Sequence, residues 1–299
     1  MSTLAFGRGR GPWRQAARRF RRHPLGIAAL LVVVAFVVVA FVTPDITPYA
    51  GQELFFEYLG KPQPPSLHSG HLLGTDALGH DMLTQLLWAV RESVLGGFGC
   101  ALAATAIGVI VGIVGGYAEG PFERVIAWLV SVMVTVPALA VLLIVVVHYS
   151  PLALWVFPVT LAAYMWTYVA RAVQASFSTL RSREYVEAAH AAGASPLRIV
   201  FRHLLPNTLG NLLVAATGIV GQSIALIATA VYFGFGNQQS DRPTLGSLIS
   251  NATHANPLTG TVEPWWLLAL PIATLGLLLI CLNFAADTLD DVLEPARAA

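Results

Sequence analysis

The sequence predicts an all-α integral membrane protein with about six transmembrane helices, and two observations carry that prediction. Of the 299 residues, 56% are hydrophobic and only 11% are charged, a balance too apolar for a water-soluble domain of this size. The charges are also spaced so that five windows contain no Asp, Glu, Lys or Arg. A spanning helix needs about 20 apolar residues to cross about 30 Å of hydrocarbon, and each window is at least close to that length.

In chain order, residues 1–24 form a basic segment holding Arg8, Arg10, Arg14, Arg18, Arg19, Arg21 and Arg22. Leu25 to Thr43 is the first span. A basic stretch followed by an apolar one also describes a secretory signal, but this run is long and no small-x-small cleavage site precedes Thr43-Pro44-Asp45, so an uncleaved anchor is expected. Residues 44–88 form a loop rich in proline (Pro44, Pro48, Pro62, Pro64, Pro65) and aromatics (Tyr49, Phe55, Phe56, Tyr58), which predicts irregular structure partly packed on the membrane face. A five-helix core is expected over 89–286, opening with Ser93 to Ala118 and a tight turn between Gly115 and Arg124. Val125 to Ala170 would reach about 69 Å as one helix, so it must fold back, and His148-Tyr149-Ser150-Pro151 marks the expected turn. Leu209 to Ser240 and Trp265 to Ala286 complete the six, separated by a loop over 236–264 and followed by a tail over 287–299.

The arginines before the first span place the amino terminus in the cytoplasm by the positive-inside rule. With an even number of spans, every one of the 17 Lys and Arg except Lys61, Arg91 and Arg242 falls on that side, and so does the carboxyl terminus. The expected location is a cytoplasmic membrane, with loops 44–88 and 236–264 facing outward. Cys100 and Cys281 fall inside spans and read as small buried side chains.

The longest cytoplasmic segment, Arg171 to Asn207, contains the loop 181–206. Glu184 to Ala192 is made of helix formers and stops at Gly193, the residue type suited to a left-handed cap. A second short helix is expected to restart at an angle: Ser195 can cap it, Pro196 fits its first turn, and Leu197 to Leu205 runs to Pro206, where the next span begins. The first helix sets small residues beside Glu184 and Glu187, so it suits either a partner's groove or a solvated connector on the membrane surface.

The string Glu187-Ala188-Ala189, with Gly193 four positions on and then Leu205-Pro206, resembles the EAA loop of ABC-importer permeases. His203 departs from the isoleucine usual there, although histidine is familiar in the peptide-importer branch. Three other segments are similar to the C-type permease subunit of dipeptide and oligopeptide (peptide/nickel) importers. They are Thr43-Pro44 to Pro48-Tyr49, His71-Leu72-Leu73-Gly74-Thr75-Asp76-Ala77-Leu78-Gly79-His80-Asp81, and Asn283 to Pro295. His80 stands where the family usually has arginine, and the stretch Gly234 to Gly246 lacks the family's tryptophan.

The resemblance implies a type I ABC importer permease fold whose coupling helix docks on an ATPase, with Glu184, Tyr185, Glu187, Ala188, Ala189, Gly193, Ala194, Ser195, Arg198 and Pro206 as the coupling residues. It implies binding-protein docking through Gly74, Thr75, Asp76, His80 and Asp81. The implied partners are a second, homologous permease in a heterodimer, two ATP-binding cassette ATPases that hold the ATP and Mg, and an extracytoplasmic binding protein. The lipid bilayer surrounds the spans, and no nucleic acid is involved. The family carries dipeptides, oligopeptides, nickel, glutathione or haem.

Gln222 and Ser223 are the most polar neighbours in the fifth span and either line an aqueous path or bond to adjacent helices. His68, His71, His80 and Asp81 are close in sequence but match no standard metal-ligand spacing, and turns at Gly74 and Gly79 with Asp76 bonded to local backbone explain the segment more simply. Tyr164, Trp166 and Tyr168 suit an aromatic belt at the inner end of the fourth span. No phosphate-binding loop, His-Glu-x-x-His pair or intramembrane acid–base pair is present, so the chain is expected to hold no catalytic residue, metal or cofactor of its own. A stand-alone secondary transporter or channel is the alternative class, and the spans show almost none of the ionisable or broken-helix features it would need.

Overall fold

The structure, a computed structural model, describes residues 20–21, 23–47, 61–67, 70–117, 120–148, 156–235, 242–253 and 264–293. Among them the regular structure is helical, apart from one isolated antiparallel bridge between Thr75 and Asp81 in the turns before Met82. The helices are α1 (Pro24–Ile46), α2 (Met82–Tyr117), α3 (Pro121–Thr135), α4 (Ala138–His148), α5 (Val156–Arg181), α6 (Glu184–Ala191), α7 (Pro196–Ile199), α8 (Leu205–Tyr232), α9 (Leu245–Thr253) and α10 (Trp265–Leu293). Four stretches are long and apolar enough to cross a membrane: α1, α2, Pro196–Tyr232 and α10. The bent pair α3–α4 makes a fifth. Helix α5, at 26 residues and about 39 Å, also has the length of a span, but Tyr164, Trp166, Tyr168 and Arg171 lower its hydropathy.

The core forms around α2 and α5, the most closely packed pair of helices. Gly108, Gly112 and Gly116 repeat every four residues along one face of α2 and let α5 approach to backbone contact. A Cβ on Gly108 would stand 2.6 Å from the Trp166 carbonyl, one on Gly112 2.8 Å from that of Ala170, and one on Gly116 2.6 Å from the Phe177 Cβ. In lipid there is little hydrophobic drive between helices, so van der Waals contact of this kind holds them together. Helix α8 packs across both, with Gly97 against Ile224 and the Ser223 hydroxyl donating to the Gly97 carbonyl at 3.1 Å.

Helix α1 lies on the periphery. Its Gly26, Ala29, Val33, Ala40 and Thr43 face inward, while Leu25, Leu31, Val34, Val38 and Phe41 are exposed, as a lipid-facing surface requires. Pro44 sits inside α1 and has no N–H to give Ala40, four residues back. The Ala40 carbonyl is not orphaned, because Arg91 Nη1 donates to it at 2.5 Å and ties α1 to α2.

Four expectations change here. Helix α2 starts at Met82, well before Ser93, because Asp81 caps it: Asp81 Oδ2 accepts from the Thr84 amide at 2.8 Å and the Thr84 hydroxyl at 2.9 Å. Arg91 and Glu92 are therefore helical, and the core opens inside the loop expected over 44–88. The long window breaks at Val136-Pro137, where α3 and α4 meet at 78° and Val136 takes the extended conformation imposed by the following proline. The turn expected at His148–Pro151 begins where α4 ends at His148, and Tyr149 to Pro151 lie outside the described residues. Tyr164 is no belt residue, being 4% exposed, and its hydroxyl donates to the Val136 carbonyl that the break leaves without a helical partner. At the far end, α10 runs on to Leu293 and takes in the first part of the expected tail.

Candidate functional site

Helix α5 continues through Arg171 to Arg181, where Arg181 pairs with Glu123 of α3 at 3.4 Å, so the segment beyond leaves from a braced corner. Helix α6 then lies against the bundle through Val186, 1% exposed, and through the half-buried Ala189. Glu184, Glu187, Ala188 and Ala191 fall on the opposite side and are all exposed. No ion pair engages either glutamate among the described residues. Tyr185 is 43% exposed, its ring 6.4 Å from that of His203.

Gly193 ends α6 with φ +77°. The Ala194 amide donates to the Ala189 carbonyl at 3.0 Å and the Gly193 amide to that of His190 at 2.9 Å, the paired bonds of a Schellman cap. Ser195 then caps the next turn, its hydroxyl accepting from the Arg198 amide at 3.4 Å. Arg198 and Pro206 are exposed.

The second short helix expected up to Pro206 is not a separate element. Helix α7 passes through a π turn, Val200–Leu204, directly into α8, so that Pro196–Tyr232 is one continuous rod. Pro206 is the cause: it cannot donate to the Arg202 carbonyl, and the wider turn relieves the clash its ring would make there. The Asn207 side chain donates to the His203 carbonyl at 2.6 Å.

At the other end of α2, the segment from Gly74 to Asp81 is a bonded knot. Gly74 has φ +80° and Gly79 φ +87°, and a Cβ on Gly74 would stand 2.4 Å from the Gln63 carbonyl oxygen. Asp76 accepts from the Leu78 and His80 amides, from His80 Nδ1 at 2.9 Å and from Gln85 Nε2 at 2.7 Å. His80 thus keeps a carboxylate hydrogen-bond partner within its own turn. Asp81 pairs with His71 at 2.9 Å, both buried. His71, Asp76, His80 and Asp81 are engaged two by two, and no group of three or more metal-ligating side chains converges among the described residues. His68 lies outside them.

Of the five residues expected to dock a partner, Gly74, Thr75 and Asp81 are buried and Asp76 and His80 partly so. They shape the turn from within, and its exposed surface is offered by Leu67, Leu72 and Leu78. Beside it, the Arg242 guanidinium lies 4.8 Å from the Trp88 ring centre and 3.3 Å from Glu92. Asn237 to Asp241 are not described, but Thr244 and Ser247 cap α9, whose Leu245, Gly246 and Leu248 are buried.

Between α5, α8 and α10 runs an open groove of about 550 Å³, lined by Tyr168, Gly218, Ile219, Gln222, Leu279 and Asn283 among others. Gln222 is exposed to it. Ser223 turns the other way, fully buried, and serves helix packing through its bond to Gly97, the second of the two roles its polarity left open. Tyr168 and Asn283 had not been expected here. Tyr168 is one of several aromatics in its helix and Asn283 the one carboxamide in its apolar window, and only the packing of three distant helices brings them beside Gln222.

Helices that meet at a glycine seam, a broken third span and an exposed short helix between the fourth and fifth define the class: a transport-system permease. The pattern of the family described as binding-protein-dependent transport system inner membrane component matches residues 105–298, and the chain belongs to that family. A second pattern, described as the N-terminal TM domain of oligopeptide transport permease C, matches residues 11–65. The chain is 35% identical to the oligopeptide transport system permease protein OppC of Mycobacterium bovis over 280 residues, 93% of each chain. It is 31% identical to the protein of that name from Escherichia coli (96% of this chain, 92% of that one) and 30% to the glutathione transport system permease protein GsiD of Pectobacterium atrosepticum (96% and 92%). In fold it resembles inward-facing forms of the MetNI methionine ABC transporter, with a TM-score of 0.57 at 21% identity over 71% of this chain and 97% of that one.

Proposed function

We propose that this chain is the C-type permease subunit of an ATP-driven importer of di- and oligopeptides in the bacterial cytoplasmic membrane. The observation that carries the reading is the exposed face of α6, where two glutamates and two alanines stand on a helix capped at Gly193 and anchored at Val186. The relatives' names supply the substrate class. In this reading both termini and α6 lie in the cytoplasm, as the arginine distribution asks. Two ATPase subunits hold ATP and Mg, a second and homologous permease pairs with this one, and an extracytoplasmic binding protein sits on the surface around Leu72 and Leu78.

The geometry suits a lever. Closure of the ATPase pair pushes on Glu184, Glu187 and Ala188, with Tyr185, Ala194, Ser195 and Arg198 shaping the seat. Movement of α6 reaches α5 through Ser182-Arg183 and reaches α8 without a joint, because α7, the π turn and α8 form one rod. Rigid-body rotation of these helices against the partner permease then alternates access to the groove. The substrate travels between the two permeases, and the chemistry of ATP hydrolysis stays on other chains.

Reconstituted vesicles test this. With both permeases, the ATPases and the binding protein present, labelled tripeptide should accumulate only when ATP is available to the ATPases. Accumulation by this chain alone, driven by an ion gradient, would favour the secondary-transporter class.

A further inference from the structure

We infer that Gln222 and Asn283 form an uncharged hydrogen-bonding wall of the translocation path that engages the amide backbone of the passing peptide rather than its side chains. The inference rests on the peptide-importer reading and adds a rule of selectivity to it. The groove holding these residues lies near the middle of three helices: Tyr168 is near the centre of α5, and Gln222 and Asn283 each lie a turn past the midpoints of α8 and α10. Both carboxamides are exposed, and among the described residues neither has a hydrogen-bond partner.

A bare carboxamide facing hydrocarbon is costly, because its donor and acceptor lose the hydrogen bonds that water supplied. Residues of this kind therefore face water, a partner or a substrate. Three features favour a substrate. The wall between the two carboxamides is kept low by Ala215, Gly218, Gly221 and Ala225, which leaves room rather than knobs for a packed helix. A Cβ on Gly218 would meet nothing within 4 Å. Among the described residues no Asp, Glu, Lys, Arg, His or Cys lines the groove, so these offer neither a counter-charge to one class of peptide side chain nor a ligand set for nickel or haem iron.

A carboxamide presents both a donor and an acceptor, the same pair that every peptide unit presents. Two of them on neighbouring helices match any peptide backbone and are indifferent to its sequence. An uncharged wall also puts no electrostatic barrier before acidic or basic peptides, whereas one fixed charge in a low-dielectric passage would favour one sign over the other.

The test uses the complete importer in vesicles, with uptake of trialanine, trilysine and triglutamate measured side by side. Gln222→Glu should lower triglutamate uptake relative to trilysine at least tenfold, and Gln222→Lys should reverse that ratio. Asn283→Asp and Asn283→Lys repeat the experiment from the opposing wall if either Gln222 variant fails to assemble. Ratios within twofold of wild type in assembled variants overturn the inference, as does an equal loss for all three peptides. Loss of permease pairing in all four variants would make the groove a subunit seam and also overturn it. A wild-type complex that imports none of the three peptides sinks the underlying importer reading instead, an outcome distinct from an unaltered charge ratio.

Discussion

Gly112→Leu is expected to prevent stable folding of the chain, so that detergent-extracted protein aggregates instead of eluting as a single species. Gly112 sits midway along the α2–α5 seam, and even a lone Cβ there would stand 2.8 Å from the Ala170 carbonyl and 2.7 Å from the Val173 Cβ. Neither obstacle is a flexible side-chain tip, so the helices must part. Overpacking of this kind costs about 1–3 kcal/mol in a soluble core, and here it also opens the contacts at Gly108 and Gly116 that depend on the same approach. Gly276→Leu is the matched control: a Cβ on that glycine meets nothing within 4 Å, and the variant should extract and elute like the wild type. Normal behaviour of Gly112→Leu would mean that α2 and α5 are not in backbone contact.

The second large effect is expected at the coupling helix. Glu187→Lys should abolish ATP-driven uptake, or reduce it more than tenfold, by setting a cation on the face that an ATPase must grip. Gly193→Val should do so by another route. Its φ of +77° suits glycine, and a β-branched residue there costs on the order of 1–2 kcal/mol, which unwinds the cap and swings α6 off its anchor at Val186. The two differ in readout: Glu187→Lys should lose co-purification of the ATPases while Val186 stays protected from hydrogen exchange, whereas Gly193→Val should lose both. Wild-type uptake in both variants would remove the coupling role from α6.

Much of this organisation is legible in the sequence because it depends on local chemistry. The α6 cap needs Gly193, the restart needs Ser195-Pro196, and the knot before α2 needs Gly74, Gly79 and Asp76, each acting on backbone within a few residues. The long-range features are harder to read. Charge-free windows underestimate α2 because Arg91 and Glu92 are helical residues with partners far along the chain, Ala40 for one and Arg242 for the other. The break at Val136-Pro137 carries a proline signal, but the polar run at His148 to Pro151 is the louder one. The Gly108, Gly112, Gly116 spacing is visible in the sequence as a small-residue repeat, although only the structure shows that α5 fills it. Gln222 and Ser223 look alike as neighbours in one span; helix rotation alone sends one into the groove and the other into the α2 interface.

Site-directed cross-linking tests the central claim most directly, namely that the exposed face of α6 receives the force of ATP hydrolysis. Cys100 and Cys281 are both buried, so a cysteine introduced at an exposed position is the reactive thiol. With a short thiol-to-amine linker in the assembled importer, Ala188→Cys should join this chain to an ATPase subunit, and Leu72→Cys should join it to the binding protein. An Ala188→Cys product with the binding protein, or none with the ATPase while the complex transports normally, would contradict the account.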